Sequence, residues 1–335
     1  MKAPAQADSE STDGAISTRI LVSDIEEMSY MVDPWQLRMN QISPGKLQAT
    51  FSVVQLLGIL LTRERWSHRV AAAGVTPVGY AAFGAPCSGC SFTWRDCQMG
   101  GEHMAYSPNS LDTGFVTMDQ DDHWVMLIPV TLLDDFLGEE LAADLLQDKC
   151  HIQCDPRLIG QLSCLVTDTI ALLEPNGACQ VDHQVLVALK NQLLVATTRV
   201  LLNNTGAGRH EEQATRRFLA YQRARHAIEA TASYSSMEKL AKEVGVSRRT
   251  LEVAFRESAG ISPQRFVSYV RLNRLHRDLL RASSNGLSVT EAEMKLGFSE
   301  FGRTAGYYKK LFDELPSETL KSEPSSDGMR LSDAL

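Results

Sequence analysis

The chain has 335 residues, 44% hydrophobic and 22% charged, with a formal net charge of −8 and seven cysteines. This is the composition of an ordinary globular protein long enough for two domains, and it excludes collagen-like, wholly disordered and coiled-coil-only classes. No apolar run approaches the ~18 residues that a membrane span needs; the longest are residues 53–61 and 124–133. Residues 1–24 are polar and acidic, without the basic start and apolar middle of a secretory signal. A cytoplasmic location, no membrane partner and reduced thiols are therefore expected.

Residues 1–30 are rich in Ser, Asp and Ala and are expected to form a disordered tail. Between 46 and 133, short apolar runs (47–54, 56–61, 78–83, 91–94, 115–118 and 124–130) are separated by Gly, Pro, Asn and Asp, as in an antiparallel barrel or sandwich. The run at 56–61 reads equally as a buried piece of helix. After Pro129 the period turns helical, over 132–146, 158–173 and 180–202. In the last of these Leu186, Leu189, Leu193, Ala196 and Val200 recur at three-four spacing, a seam for packing on the strands or on a second copy. As a dimer seam its contacts are Leu186, Leu189, Leu193 and Val200. Residues 203–213 read as a linker. An almost wholly helical domain follows over 214–322, then a flexible tail over 323–335.

Charge divides along the same line. Residues 1–208 hold 12 basic and 24 acidic side chains, a net −12, whereas residues 209–322 hold 20 and 14, a net +6. An acidic sensor over 31–202 joined to a basic nucleic-acid binder fits this split.

Residues 236–256 read SMEKLAKEVGVSRRTLEVAFR. Ser235 and Glu238 are spaced as a capping box at a helix start. Leu240, Ala241 and Val244 make an apolar face, and Gly245 ends the helix by accepting positive φ. Ser247 then caps a second helix with Leu251, Ala254 and Phe255 turned inward. This is the physical grammar of a helix-turn-helix, in which small Ala241 lets the helices cross closely. A plain bundle hairpin with a solvated Arg face shows the same local pattern. The outward stripe of the second helix is Ser247, Arg248, Arg249, Glu252 and Arg256, placed for guanine edges or phosphates. A looser copy follows at 288–312, with a Ser288/Glu291 capping box and the turn Leu296-Gly297-Phe298, its glycine 52 residues after Gly245. Its candidate contacts are Ser299, Glu300, Arg303 and Tyr307. Residues 263–280 form one long helix between the copies, carrying Arg265, Arg271, Arg274 and Arg277, with Arg281 just beyond. The fold class expected is α+β: an N-terminal β-barrel or jelly-roll-like sensor with dimerisation helices, then an all-α domain of two helix-turn-helix units joined by a long helix.

The run VSRRTLEVAFRESAGISPQRFVSYVRLNRL, then LGF, then YYKKLFDELPSETL, resembles the DNA-binding half of the AraC/XylS family of transcription regulators. The resemblance covers residues 214–320. Residues 35–51, WQLRMNQISPGKLQATF, are similar to the start of the sensor in the branch that includes the ethanolamine-operon regulator. That branch also ends in a pattern met here by Tyr308, Leu311-Phe312 and residues 316–320. The resemblance implies seven DNA-binding helices, double-stranded DNA and a small-molecule effector as partners, a homodimer, and activation through RNA polymerase. The branch implies ethanolamine and a cobalamin cofactor, but no pocket residue identifies either, and no cofactor is expected. Three positions depart from the family pattern. Glu293 stands for a small apolar residue, Thr304 for a core aromatic and Asp313 for a glycine. Glu293 is expected to turn outward or to find Lys295 or Arg303, or else to leave the second unit less well packed.

In the sensor half, Cys87-Ser88-Gly89-Cys90 with Cys97, and Cys150 with Cys154, suggest thiol or zinc chemistry, against the plainer reading of small core residues. No metal is expected. Weak effector candidates are Tyr80, Trp94, His103 and Trp124, beside the plain reading of strand packing. No phosphate loop, nucleophile elbow or His-Glu-x-x-His motif occurs, so an enzyme is not expected. The rival readings are a ligand-independent repressor and a metal- or thiol-dependent cupin-like enzyme.

Overall fold

The computed structural model describes residues 15–26, 37–87, 89–95, 97–107, 112–145, 151–174, 181–204, 211–231, 236–282 and 287–322. The strands are β1 (Ile16–Val22), β2 (Arg38–Gln41), β3 (Ala49–Leu56), β4 (Ile59–Trp66), β5 (Val70–Val75), β6 (Tyr80–Pro86), β7 (Phe92–Trp94), β8 (Cys97–Met99), β9 (His103–Ser107), β10 (Asp112–Val116), β11 (Asp121–Pro129) and β12 (His151–Gln153). They pair into two antiparallel sheets. The larger has the order β1-β3-β4-β11-β6-β9-β12, the smaller β2-β5-β10-β7-β8. The helices are α1 (Val130–Leu137), α2 (Glu139–Leu145), α3 (Pro156–Leu173), α4 (His183–Leu202), α5 (Glu211–Thr231), α6 (Met237–Val244), α7 (Arg248–Ala259), α8 (Pro263–Ala282), α9 (Val289–Lys295), α10 (Phe301–Phe312) and α11 (Pro316–Thr319).

Four layers result. On the outer face of the larger sheet, Val54, Leu61, Trp124 and Met126 share one core with Leu162, Val166 and Ile170 of α3 and Leu186 and Leu193 of α4. On its inner face, Phe51, Val53, Leu60 and Leu127 meet Met39, Val70 and Ala72 of the smaller sheet. On the far side of the smaller sheet, Ala71 and Val116, with Ile42 just after β2, pack against Phe218, Tyr221, Leu240, Leu251 and Phe255 of the C-terminal helices. Strands β3 and β4 are thus apolar on both faces. This removes the period-two signal and explains why residues 56–61 read two ways. Leu57 and Gly58, at φ 46° and 90°, turn β3 into β4 as a two-residue hairpin.

Several sequence expectations are corrected. Residues 1–30 are not all tail, because Ile16–Val22 pairs along β3 as an edge strand of the larger sheet. The α4 seam is not a free dimer surface. Leu186, Leu193 and Val200 are buried in this chain's own core, with Leu189 packed against it. Helix α4 is long and apolar enough by composition to cross a membrane, but that seam faces α3 and the strands. The helix expected over 132–146 breaks at Gly138, which sits at φ 83°. The tail expected over 323–335, the centre of the linker at 205–210, and Cys150 lie outside the described residues.

Strand β5, Val-Ala-Ala-Ala-Gly-Val, has low intrinsic strand propensity and was not anticipated. Its small side chains have a packing reason. Arg225 of α5, only 1% exposed, donates from Nη1 to the Ala72 carbonyl at 3.3 Å. On β10, a Cβ at Gly114 would lie 2.8 Å from the same Nη1. Bulk at Gly114, or at Ala71 and Ala73 on the same face of the sheet, would push the helix off it.

Candidate nucleic-acid interface and inter-sheet cavity

Helices α6 and α7 form the first helix pair. Ser236, rather than Ser235, caps α6, its Oγ accepting from the Lys239 N–H at 3.1 Å. Gly245 stops the helix at φ 79°, a left-handed value that suits glycine. Ser247 caps α7, accepting from the Thr250 N–H at 3.1 Å. Leu251, Ala254 and Phe255 are fully buried. Phe255 stands edge-on to Tyr221 of α5 at 4.9 Å and to Phe266 of α8 at 5.2 Å, which fixes the pair on both neighbours.

Ser247, Arg248, Arg249, Glu252 and Arg256 are all exposed, as the register requires. They are not equally available. Arg248 donates from Nη1 to Glu238 at 2.5 Å and from Nε to Glu252 at 3.1 Å. Among the described residues no carboxylate pairs with Arg249 or Arg256, so these two present unneutralised guanidinium groups.

In the second helix pair, Ser288 and Glu291 make the reciprocal capping box of α9, and Gly297 at φ 74° turns the chain towards α10. Arg271 of α8 holds that turn, donating to the Leu296 carbonyl at 3.0 Å and lying 4.2 Å over the Phe298 ring. Ser299, Glu300, Arg303 and Tyr307 are exposed, with Arg303 bonded to Glu300 at 2.9 Å. Glu293 finds neither Lys295 nor Arg303 and does not turn outward. It is 2% exposed, its Oε1 has no hydrogen-bond partner, and burial pushes its carboxyl pKa up. Thr304 fills its core place by bonding back to the Glu300 carbonyl at 3.1 Å. Asp313 caps α10 at φ 61°, a conformation Asp tolerates better than most residues.

Helix α8 lies between the two pairs. Its Gln264, Ser268 and Arg271 line both the cleft beside Glu238 and Arg248 and the cleft beside Ser299, Glu300, Arg303 and Tyr307. The two outward stripes therefore flank one helix. The opposite side of α8 grips the smaller sheet. Asn273, fully buried, accepts from the Gln41 N–H at 3.0 Å and donates to the Gln41 carbonyl at 2.9 Å. The Gln41 amide donates to the Leu311 carbonyl at 2.8 Å. His276 bonds Asp24 at 2.7 Å and the Tyr308 hydroxyl at 2.5 Å, and Arg277 pairs with Glu26 at 3.1 Å. Nothing in the sequence pattern announced this polar clamp. Asn273→Ala is expected to lose ~1–3 kcal/mol, because two buried backbone groups lose their partner; denaturant unfolding of the full chain measures it.

Between the sheets lies a cavity of about 60 Å³. Its walls are mostly apolar, with Phe92, Trp94 and Phe115 from the smaller sheet and Phe51, Leu60 and Leu127 from the larger. Of the four effector candidates only Trp94 lines it. Trp124 points the other way, fully buried, with its indole N–H on Ser163 at 2.9 Å. Tyr80 packs at the edge of the inner core, and His103 meets His151 edge-on at 5.8 Å. The polar part of the wall was missed: Thr62, Glu64 and His123. The β4–β11 register sets His123 directly opposite Glu64. His123 lies 3.4 Å from Glu64 and 3.2 Å from Asp121. Burial alone would lower the imidazole pKa, but the two carboxylates outweigh it and hold it up at about 10. An Asp-x-His strand facing a Glu-x-Trp strand is the signal that alternation carries.

The described cysteines form no such constellation. Cys87 is pushed up to about 12 by burial and by Asp122, away from thiolate character. Among the described residues no three His, Cys, Asp or Glu side chains converge on a metal-sized space.

Two capped helix pairs flanking one long helix, with exposed guanidinium groups on their outward stripes, define a helix-turn-helix nucleic-acid-binding domain. The comparisons agree: residues 240–322 match the helix-turn-helix domain family. The probable thc operon regulatory protein of Rhodococcus erythropolis is 40% identical over 89 residues, 27% of this chain and 27% of that protein. The XylDLEGF operon transcriptional activator of Pseudomonas putida is 36% identical over 86 residues, 26% and 27% of the two chains. A probable AraC family transcriptional regulator from Rhodopseudomonas palustris, of known structure, is 36% identical over 31% of this chain and 98% of its own, with a TM-score of 0.29. Over this part the chain is similar to the helix-turn-helix domains of transcription regulators. The match spans about a quarter of the length of the curated relatives.

Proposed function

We propose that the chain is an effector-responsive, sequence-specific DNA-binding activator. The carrying observation is the pair of outward stripes on α7 and α10 that flank one rigid helix. As two helix-turn-helix units, α6–α7 and α9–α10 would enter major-groove segments about one helical turn apart. Arg249 and Arg256 are the free readers of the first unit. The second reads with Ser299, Arg303 and Tyr307 despite its unpaired Glu293. The effector belongs in the inter-sheet cavity, where Met39 of β2 lines the space and the next two residues of the same strand hold Glu229 and Asn273. Occupancy that favours one position of β2 would favour one position of α8, the differential affinity that such coupling requires.

A homodimer belongs to the same proposal. The apolar surface left for it on α4 is the outer stripe of Val185, Val195 and Leu202. Contact with RNA polymerase and the ethanolamine-operon branch rest on resemblance alone. A protein that reads promoters works in the cytoplasm.

Selection of bound duplexes from a random library, with the full-length protein and then at several salt concentrations, tests the reading. Two conserved blocks about one turn apart, with affinity falling steeply in salt, are expected. No enrichment at any salt overturns it. Arg249→Ala should cost ~1–3 kcal/mol of binding and relax preference at one base pair, whereas equal loss on all sequences marks a phosphate contact. Arg248→Ala should do less, because Arg248 already serves Glu238 and Glu252.

A further inference from the structure

We propose that the inter-sheet cavity binds a short apolar molecule with a cationic, proton-donating end, of the alkylamine class, seated on Glu64. The inference rests on the effector-responsive reading above and adds the chemistry of the effector. First, among the described residues no Lys or Arg lines the space, and its one carboxylate is that of Glu64, beside His123. Two carboxylates, Asp121 and Glu64, already engage both ring nitrogens of His123, so a carboxylate ligand finds no free cation among the described wall residues. Second, Glu64 keeps acceptor capacity. Its Oε1 accepts from Thr62 at 3.3 Å, and its Oε2 accepts from Trp66 at 3.3 Å and faces His123 at 3.4 Å. A carboxylate has about four acceptor sites, which leaves one on Oε1 for a ligand N–H. Third, the wall beside these groups is aromatic: the Phe92 and Phe115 rings lie 4.9 and 6.2 Å from the His123 ring. Fourth, the cavity is small. Free space of about 60 Å³ corresponds to roughly four to six water-sized groups at ~10–15 Å³ each. That is a ligand of a few heavy atoms, not a fatty acid or a polycyclic compound.

The test uses the full-length protein with n-butylamine, n-butanol and butyrate, matched in length and differing in the polar end. Binding is followed by intrinsic tryptophan fluorescence and by thermal shift. Butylamine should bind at least ten-fold more tightly than butyrate, with butanol between them. Glu64→Gln should abolish the preference by weakening the amine, and Phe115→Trp, which fills the space without touching the carboxylate, should weaken all three together. Butyrate binding as well as butylamine overturns the proposal, as does absence of amine binding to the folded wild type at tens of millimolar. Random-library selection on the same preparation separates the two failures. Enriched operators with no amine preference sink the ligand class alone, whereas no enriched operator sinks the regulator reading.

Discussion

His123→Ala is expected to destabilise the chain by about 3–5 kcal/mol, the range for breaking a buried ion pair from one side. The cause is the charge left behind. Asp121 is 3% exposed, its Oδ1 already lacks a partner, and without the imidazolium it would stand near Glu64 with no cation to balance either carboxylate. Direct β4–β11 pairing leaves little room for the two to move apart. The loss has a pH signature whose sign is fixed. The folded-state pKa of His123 is raised to about 10, above the unfolded value of about 6.5. Its contribution is therefore complete below about pH 6.5 and fades as pH rises towards 10. The gap in unfolding free energy between wild type and His123→Ala should be widest near pH 6.5 and narrow steadily by pH 10. A gap that stays constant or widens over that window would mean that the imidazole is not held charged.

Leu251→Ala should cost ~2–5 kcal/mol, the range for a buried leucine whose cavity cannot fully collapse. Leu251 is completely buried in the core shared by α5, α6, α7, α8 and the smaller sheet. It also sits two residues after Arg249, so slackening this turn of α7 displaces the reading stripe. Chemical denaturation should show the loss, and specific DNA affinity should fall further than non-specific affinity. Val253, on the same helix and 37% exposed, is the control. Its truncation should change stability by no more than ~0.5 kcal/mol. Equal effects at the two positions would mean that the α7 register is wrong.

The C-terminal half was legible because each local rule pointed the same way. Caps at Ser247 and Ser288, turn glycines at 245 and 297, and inward Leu251 and Phe255 can be read without tertiary context. The sensor half was legible only as a set of short strands. Strands buried on both faces lose alternation, as β3 and β4 do, and β5 is written in alanine because a helix lies on it. The α4 seam shows a related limit. A three-four repeat states that a helix face is buried but not against what, and here the partner is this chain's own sheet. The cavity's polar wall was hidden for a different reason. Glu64 and His123 are far apart in sequence and meet through strand register. The clamp at Asn273 had no sequence signal, since its partners are backbone groups of Gln41.

The smaller sheet is one layer thick, with the cavity on one side and the DNA-binding helices on the other. On β10, Phe115 faces the cavity while Gly114 and Val116 meet the helices; on β2, Met39 faces inward while Asn40 reaches Glu229. Strand alternation thus divides the labour between neighbouring codons. If the cavity holds the proposed effector, positions that choose the ligand can drift while positions that transmit its presence stay fixed. Recruiting it to a new signal would begin at Met39 and Phe115, leaving Ala71 and Gly114 alone.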